Sequence, residues 1–301
     1  MLALLAAVAL PALYWDQGPA TAGTVKQAGI ERLYVPAGEQ AAWKTAGFDA
    51  QGFDAARFVK VPAPGVRYQM DVASATTVPW IDANGWRFQR KSGGSYYYDA
   101  PPGKAMLAAA EAYANGVEAM IHADAKDLPA FGRMLAFLRG IDGQTLPALA
   151  NFGVIDNGSA QMGEVMNLVA RRNLLFEVVR KADPKYDINV QIGPESPANP
   201  SQFAALIRQK LTDEKRLVRI FGSDVVLVRL NGDGTRVRVH LINYSGRKVE
   251  GLRVRLRGEY PTSALATFDA NGALEDYSAA DGATEFTVPS IDVYAAVDLR
   301  K

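Results

Sequence analysis

Apolar positions along this chain follow two rhythms that alternate through the first two thirds and then give way to one. "ALYWD" (residues 12–16) is a short apolar-aromatic run of strand type. "GPATAGTVKQA" then has helical spacing, and "RLYVP" reads as a second strand. Gly29 is placed to end the helix, because glycine accepts the left-handed conformation found at helix C-termini. The same order returns in "KAMLAAAEAYANG" followed by "VEAMIHA", and in "DLPAFGRMLAFLRG", where Leu128, Phe131, Leu135 and Leu138 share a face. "ANFGVIDNG" predicts a buried strand. In the helix that follows, Met162, Val165, Met166 and Val169 fall at i, i+3, i+4 and i+7. "LLFEVVR" and "YDINVQIG" predict strands, and Asn199-Pro200 opens a further helix as cap and first residue.

Strand–helix repetition of this kind requires parallel strands joined by crossover helices. With one strand at "RFVKV" and one between residues 66 and 99, about eight strands are reached by residue 192, at the compact end for a (β/α)8 barrel. The predicted fold class is therefore α/β: a TIM-like (β/α)8 barrel over residues 13–213, irregular in its middle. There "WRFQRKSGGSYYYD" reads as a hairpin about Gly93-Gly94. A separate reading makes residues 148–212 a small open α/β unit, leaving an incomplete barrel before it.

From residue 214 to 301 the helical rhythm stops. "RVRVHL" and "LRVRLRG" alternate Val and Leu with Arg, and "NGDG", "SGRK" and "DANG" supply turns, so about seven antiparallel strands of a β-sandwich are predicted. The arginines there are read as a solvated face. At the other end, residues 1–12, "MLALLAAVALPA", have the length of a signal-peptide core with Ala7-Val8-Ala9 as a cleavage site, but no Lys or Arg precedes Lys26. Either the segment is a signal peptide, with a periplasmic or secreted destination, or it is a buried first strand of a cytoplasmic protein. It is too short to span a bilayer, and no integral membrane segment is expected.

Composition narrows the chemistry. The 301 residues are 49% hydrophobic and 22% charged with a net charge of +1, an ordinary globular balance without the basic excess of a nucleic-acid binder. No cysteine occurs and only two histidines, His122 and His240, so thiolate chemistry, iron–sulfur clusters and a multi-histidine cage drop out. Dinucleotide, P-loop, zinc-peptidase and nucleophile-elbow motifs are absent, and no cofactor or metal is expected.

Carboxylates beside aromatics remain. Strand C-termini face the active site of a barrel. Those ends offer Asp16 with Tyr14 and Trp15, then Glu39, Asp71, Asp82, Asp99, His122 with Asp124, Asp156 and Glu195. Trp80, Trp86 and Arg87 lie near them in sequence. Rings beside carboxylates suit sugars, whose C–H faces pack on aromatic surfaces, and glycoside hydrolysis needs two carboxyl groups. Each residue also has a plain structural alternative: Asp16-Gln-Gly-Pro and Asp156-Asn-Gly as turns, Asp99 as a cap, His122 as a core residue, the tryptophans as packing.

A barrel followed by a sandwich, with "VRVHLINYSGRKVEGLRVRLRG" and the ending "TEFTVPSIDVYAAVDL", resembles bacterial glycoside hydrolases. The resemblance implies an oligosaccharide or polysaccharide substrate. By analogy with α-galactosidase-type enzymes, it implies Asp99 and Asp156 as the catalytic pair. Trp15, Asp16, Asp71, Trp80, Trp86, Arg87 and His122 would then bind substrate. The Lys-x-Asp pattern usual at that nucleophile is replaced by Tyr97-x-Asp99, and the Asn-Glu pair of the other large barrel clan is missing. The alternative is a glycan-binding or scaffolding protein without catalysis.

Overall fold

The computed structural model describes residues 10–67, 79–141, 143 and 145–301. Most of the candidate signal segment and Asp71 lie outside the described residues. The chain begins with β1 (Ala12–Tyr14), α1 (Ala22–Gln27), β2 (Arg32–Val35), α2 (Gln40–Thr45), β3 (Asp49–Gly52) and β4 (Val59–Val61). Next come β5 (Gly65–Arg67), β6 (Trp80–Asp82), α3 (Gly85–Arg90), β7 (Ser95–Asp99), α4 (Ala105–Ala114), β8 (Glu118–His122) and α5 (Leu128–Gly140). Then follow β9 (Phe152–Ile155), α6 (Ala160–Ala170), β10 (Phe176–Val179), β11 (Asn189–Val190) and α7 (Pro200–Lys215). The remaining strands are β12 (Val218–Phe221), β13 (Val226–Gly232), β14 (Arg236–Asn243), β15 (Val249–Arg257), β16 (Thr262–Thr267), β17 (Glu275–Ala280), β18 (Ala283–Ile291) and β19 (Tyr294–Arg300). They belong to two compact units, Met1–Gly65 with Lys91–Thr145, and Val66–Arg90 with Leu146–Lys301.

In the first unit six strands form a sheet in the order β3-β2-β1-β8-β7-β4, each neighbouring pair parallel. Because side chains alternate along a strand, the register sorts them onto two faces. Leu13, Leu33, Tyr98 and Ile121 are buried on one face, where the Tyr98 hydroxyl donates to Glu111 of α4 at 2.7 Å. The small side chains of "AMLAAAEAYA" let α4 lie close to β8 and α5. Gly132 lets α5 meet the end of α1, since a Cβ there would stand 1.7 Å from the Ala28 carbonyl oxygen. The opposite face carries Ala12, Tyr34, Phe58 and Met120, all buried, with Tyr14, Phe53 and Tyr97 packed against them. This apolar floor leads to the C-terminal ends of β1, β7 and β8.

The second unit holds a three-stranded parallel sheet, β10-β9-β11, covered by α6 and α7. Met162, Val165, Met166 and Val169 are all buried there, as their spacing predicts. Ser159 caps α6 by accepting from the Met162 N–H at 3.1 Å, and Asn199 caps α7 by accepting from the Ser201 N–H at 2.8 Å. Beyond α7 two antiparallel sheets, β12-β15-β18-β17 and β13-β14-β19-β16, share one core. Val254, Phe286 and Val288 meet Val239, Leu241 and Val297 in it. The sandwich has eight strands where about seven were expected.

The structure is thus α/β with parallel sheets, plus an antiparallel β-sandwich, and it differs from the sequence reading in two places. Among the described residues no closed eight-stranded ring is present. A barrel needs every strand paired on both sides, and β3 and β4 each pair on one side only, while β9 spends both edges on β10 and β11. Residues 148–212 accordingly contain a small parallel sheet of their own, and strand order no longer assigns Asp156 a barrel position. The expected hairpin at Gly93-Gly94 is a helix, a turn and a parallel strand. "WRFQR" alternates like a strand, yet the N–H groups of Arg87 and Phe88 both reach the Asn84 carbonyl and start α3, burying Phe88. β7 then pairs in parallel with β4 and β8. The short α2 and β3 were not foreseen.

Candidate functional site

β1, β8 and β7 lie side by side with Tyr14 opposite His122 and His122 opposite Asp99. Asp16, two residues beyond Tyr14, returns to the same face. The register therefore delivers two carboxylates to the two sides of one imidazole. His122 Nδ1 is 3.1 Å from Asp99 Oδ1, and His122 Nε2 is 3.3 Å from Asp16 Oδ1. Lys60, paired with Tyr97 across β4 and β7, donates from Nζ to Asp99 Oδ2 at 3.0 Å. A row of polar groups, Lys60–Asp99–His122–Asp16, runs across the strand ends. Neutral imidazole has one N–H and serves one carboxylate; imidazolium donates to both.

Aromatic rings form the wall below this row. Tyr14 lies 4.3 Å from Phe53 and 5.5 Å from the His122 ring, and Phe53 lies 5.2 Å from Tyr97 and stacks on Phe58 at 5.4 Å. Together they enclose an open cavity of about 400 Å³, also bordered by Ala55. That volume is within the range of small-ligand sites.

Hydrogen bonds from His122 first, and then Lys60, hold the Asp99 carboxyl below the usual carboxylate range, so it is ionised at neutral pH. Burial, reinforced by Asp99, Tyr14 and Asp16, pushes the Tyr97 hydroxyl up to about 12. Burial and then Asp16 raise Tyr14 as well. Both phenols stay protonated donors beside the carboxylates. Among the described residues no group of three or more His, Asp or Glu side chains is arranged to hold a metal ion.

No protein-family model matches the sequence, and no curated protein matches it. Solved structures do match in shape. α-L-Fucosidase isoenzyme 2 from Paenibacillus thiaminolyticus superposes with a TM-score of 0.55 at 10% identity, over 72% of this chain and 62% of that enzyme. The fold is glycoside-hydrolase-like. The chain spans about three fifths of the fucosidase's length. The cold-adapted β-galactosidase from Rahnella sp. R3 gives a TM-score of 0.43 at 9% identity, covering 90% of this chain and 63% of that one. The catalytic mutant of the GH42 β-galactosidase Gan42B from G. stearothermophilus gives 0.39 at 8% identity, covering 96% and 60%.

In the first unit Asp16, Asp99 and His122 come together. Asp156 belongs to the second compact unit. Arg90 grips it through two hydrogen bonds of 2.7 and 2.9 Å, and the Gly158 N–H donates to it at 3.0 Å. It closes the turn that starts α6. Trp15 is only 1% exposed, and its indole N–H donates to Thr21 Oγ1 at 2.8 Å, so it is core rather than cleft wall. Arg171 lies 3.7 Å over the Trp80 ring and Arg87 lies 4.3 Å over Trp86, and both tryptophans pack on the core beneath α6 and α7. Arg87 also donates to Asn84 Oδ1 at 3.1 Å. Asp82 is paired with Arg67, and Asp124 caps a turn by accepting from the Lys126 N–H. Sequence reasoning missed Lys60, Phe53 and Phe58. The available signal was the alternation in "FVKV", which puts Phe58 and Lys60 on one side of a strand.

Proposed function

We propose that this is a carbohydrate-active protein of glycoside-hydrolase type whose site is the pocket of Asp16, Lys60, Asp99 and His122. One observation carries the reading: two carboxylates flank one imidazole above a wall of Tyr14, Phe53, Phe58 and Tyr97, at the C-terminal ends of adjacent parallel strands. The rings offer a surface for the C–H face of a sugar, and the protonated phenols and charged groups offer hydroxyl partners. Asp99, kept ionised by two cation-capable neighbours, takes the role of base toward water. Asp16 takes the role of acid, with His122 as the proton path between them. In this proposal Asp156 is structural, the six-stranded parallel sheet of the first unit carries the chemistry, and residues 214–301 are an accessory sandwich. The packing of α1, α4 and α5 on the face opposite the pocket supports that architecture.

A panel of nitrophenyl glycosides, α-L-fucoside included, tests the reading. Asp99→Asn and Asp16→Asn are expected to lose turnover by about 10²–10⁴-fold with an unchanged Tm, and Asp156→Asn to keep it. Full turnover in Asp99→Asn would sink the assignment. A second reading, a glycan-binding protein without catalysis, is favoured by the fact that Lys60 and His122 already satisfy Asp99. It predicts sugar binding that Tyr97→Ala weakens, with no hydrolysis of any glycoside.

A further inference from the structure

The sandwich carries a groove of about 750 Å³ on the outward face of the sheet β12-β15-β18-β17. Alternation sets it up. Leu252, Val254 and Leu256 of β15 are buried in the sandwich core, so Arg253, Arg255 and Arg257 project outward, about 6.6–6.8 Å apart along the strand. On β12, Phe221 stands opposite Arg253 and Arg219 opposite Arg255. Phe221 is one of few exposed large apolar side chains, and the Arg219 guanidinium lies 5.0 Å from its ring.

The acids of the groove are outnumbered at each contact. Arg253 and Arg255 share the single carboxylate of Glu285, which is held below its usual range by those two hydrogen bonds. Arg208, Arg216 and Arg219 share Asp213, the latter two at 3.7 and 3.5 Å. Asp213 follows a break in α7 at Thr212, whose φ of 50° is a rare conformation for a β-branched residue. Arg257 bonds only a backbone carbonyl, that of Lys215 at 3.4 Å, among the described residues. Five guanidiniums, those of Arg216, Arg219, Arg253, Arg255 and Arg257, thus line the groove with the two shared carboxylates, and Glu214 and Asp281 are the further acids of the lining. Each guanidinium has five donors in a planar fork shaped for carboxylates, and the Arg253 and Arg255 side chains are 62% and 43% exposed, whereas Arg216 is largely buried and donates to the Arg172 and Asn173 carbonyls.

We propose that this groove binds an acidic oligosaccharide through its uronate carboxylates. The three arginines of β15 form an evenly spaced row for repeated negative charges, and Phe221 supplies a flat face for a sugar ring. Carboxylate is the anion chosen because the site already holds two carboxylates in shared guanidinium contacts. The inference does not rest on the pocket of Asp99.

The test is titration calorimetry on the full chain at low salt, with hexagalacturonate as ligand and its fully methyl-esterified form as the uncharged match. Hexagalacturonate is expected to bind and to weaken about tenfold or more at physiological ionic strength, where surface charge is screened beyond about 8 Å. The ester is expected to bind at least about tenfold more weakly, a 1.4 kcal/mol difference. Arg257→Ala and Arg219→Ala should each lose about fivefold or more with an unchanged Tm, and Asp99→Asn should bind as the parent does. The inference is overturned if the ester binds as tightly, if dextran sulfate or polyglutamate of matched charge binds as tightly as the uronate, or if both arginine variants bind unchanged.

Discussion

Asp99 and Asp156 both stand at the C-terminal end of a parallel strand, and their surroundings give them different tasks. Asp99 is half exposed, faces an open cavity and shares its oxygens between an imidazole and a lysine ammonium. Asp156 is 15% exposed and takes both oxygens into the planar fork of Arg90, which bonds the Ser159 carbonyl as well. A bidentate guanidinium saturates a carboxylate in one geometry, whereas an ammonium and a ring nitrogen are single-point contacts that a ligand can exchange. Strand position places a carboxylate; the partner decides whether it is available.

The comparison breaks most visibly through activity. Asp99→Asn is expected to lower turnover by about 10²–10⁴-fold, while Asp156→Asn leaves turnover per folded molecule unchanged, both read from steady-state kinetics at a temperature where each variant is fully folded. The next effect is on stability. Arg90→Ala leaves a largely buried carboxylate unpaired and should cost on the order of 3 kcal/mol in denaturant unfolding, whereas Lys60→Met, removing an exposed partner of Asp99, should cost less than about 1 kcal/mol.

A pH profile sharpens the contrast further. Lys60 is the second largest cause holding the Asp99 carboxyl down, so Lys60→Met should move the acid limb of kcat/KM to higher pH. The smallest effect is the acid dependence of stability. Asp99 titrates lower in the folded chain than in the unfolded one. Its contribution is therefore complete above the ordinary carboxylate value and is lost as pH falls through the folded value. Because the group is half exposed, Asp99→Asn should flatten that decline by only a few tenths of a kcal/mol.

Much of the fold is legible in local pattern. The helices closed by Gly116 and opened by Asn199, the strands of Leu13 and Ile121, and the Val/Arg alternation of "LRVRLRG" follow from periodicity and caps, whereas Arg236 and Arg238 of "RVRVHL", read as a solvated face, are buried and paired with Asp298. What pattern does not carry is pairing. The order β3-β2-β1-β8-β7-β4 joins strands more than a hundred residues apart, and it alone puts His122 between Asp16 and Asp99. Lys60 and Phe53 come from strands of three and four residues or their ends, too short for a periodic signal. Trp15 shows the converse: an aromatic beside a candidate acid looks like a cleft wall until strand alternation turns it into the core.

His122 offers the most direct test of the central claim, because the chain has only two histidines and the other, His240, is buried against Tyr294. Imidazole ¹⁵N resonances, followed while the protein is titrated with the glycoside panel, report on the pocket with an internal control. A site at Asp16, His122 and Asp99 predicts that a bound sugar shifts both ring nitrogens of His122 and leaves those of His240 in place. Saturable sugar binding with His122 unmoved, or no response of His122 to any member of the panel, would contradict it.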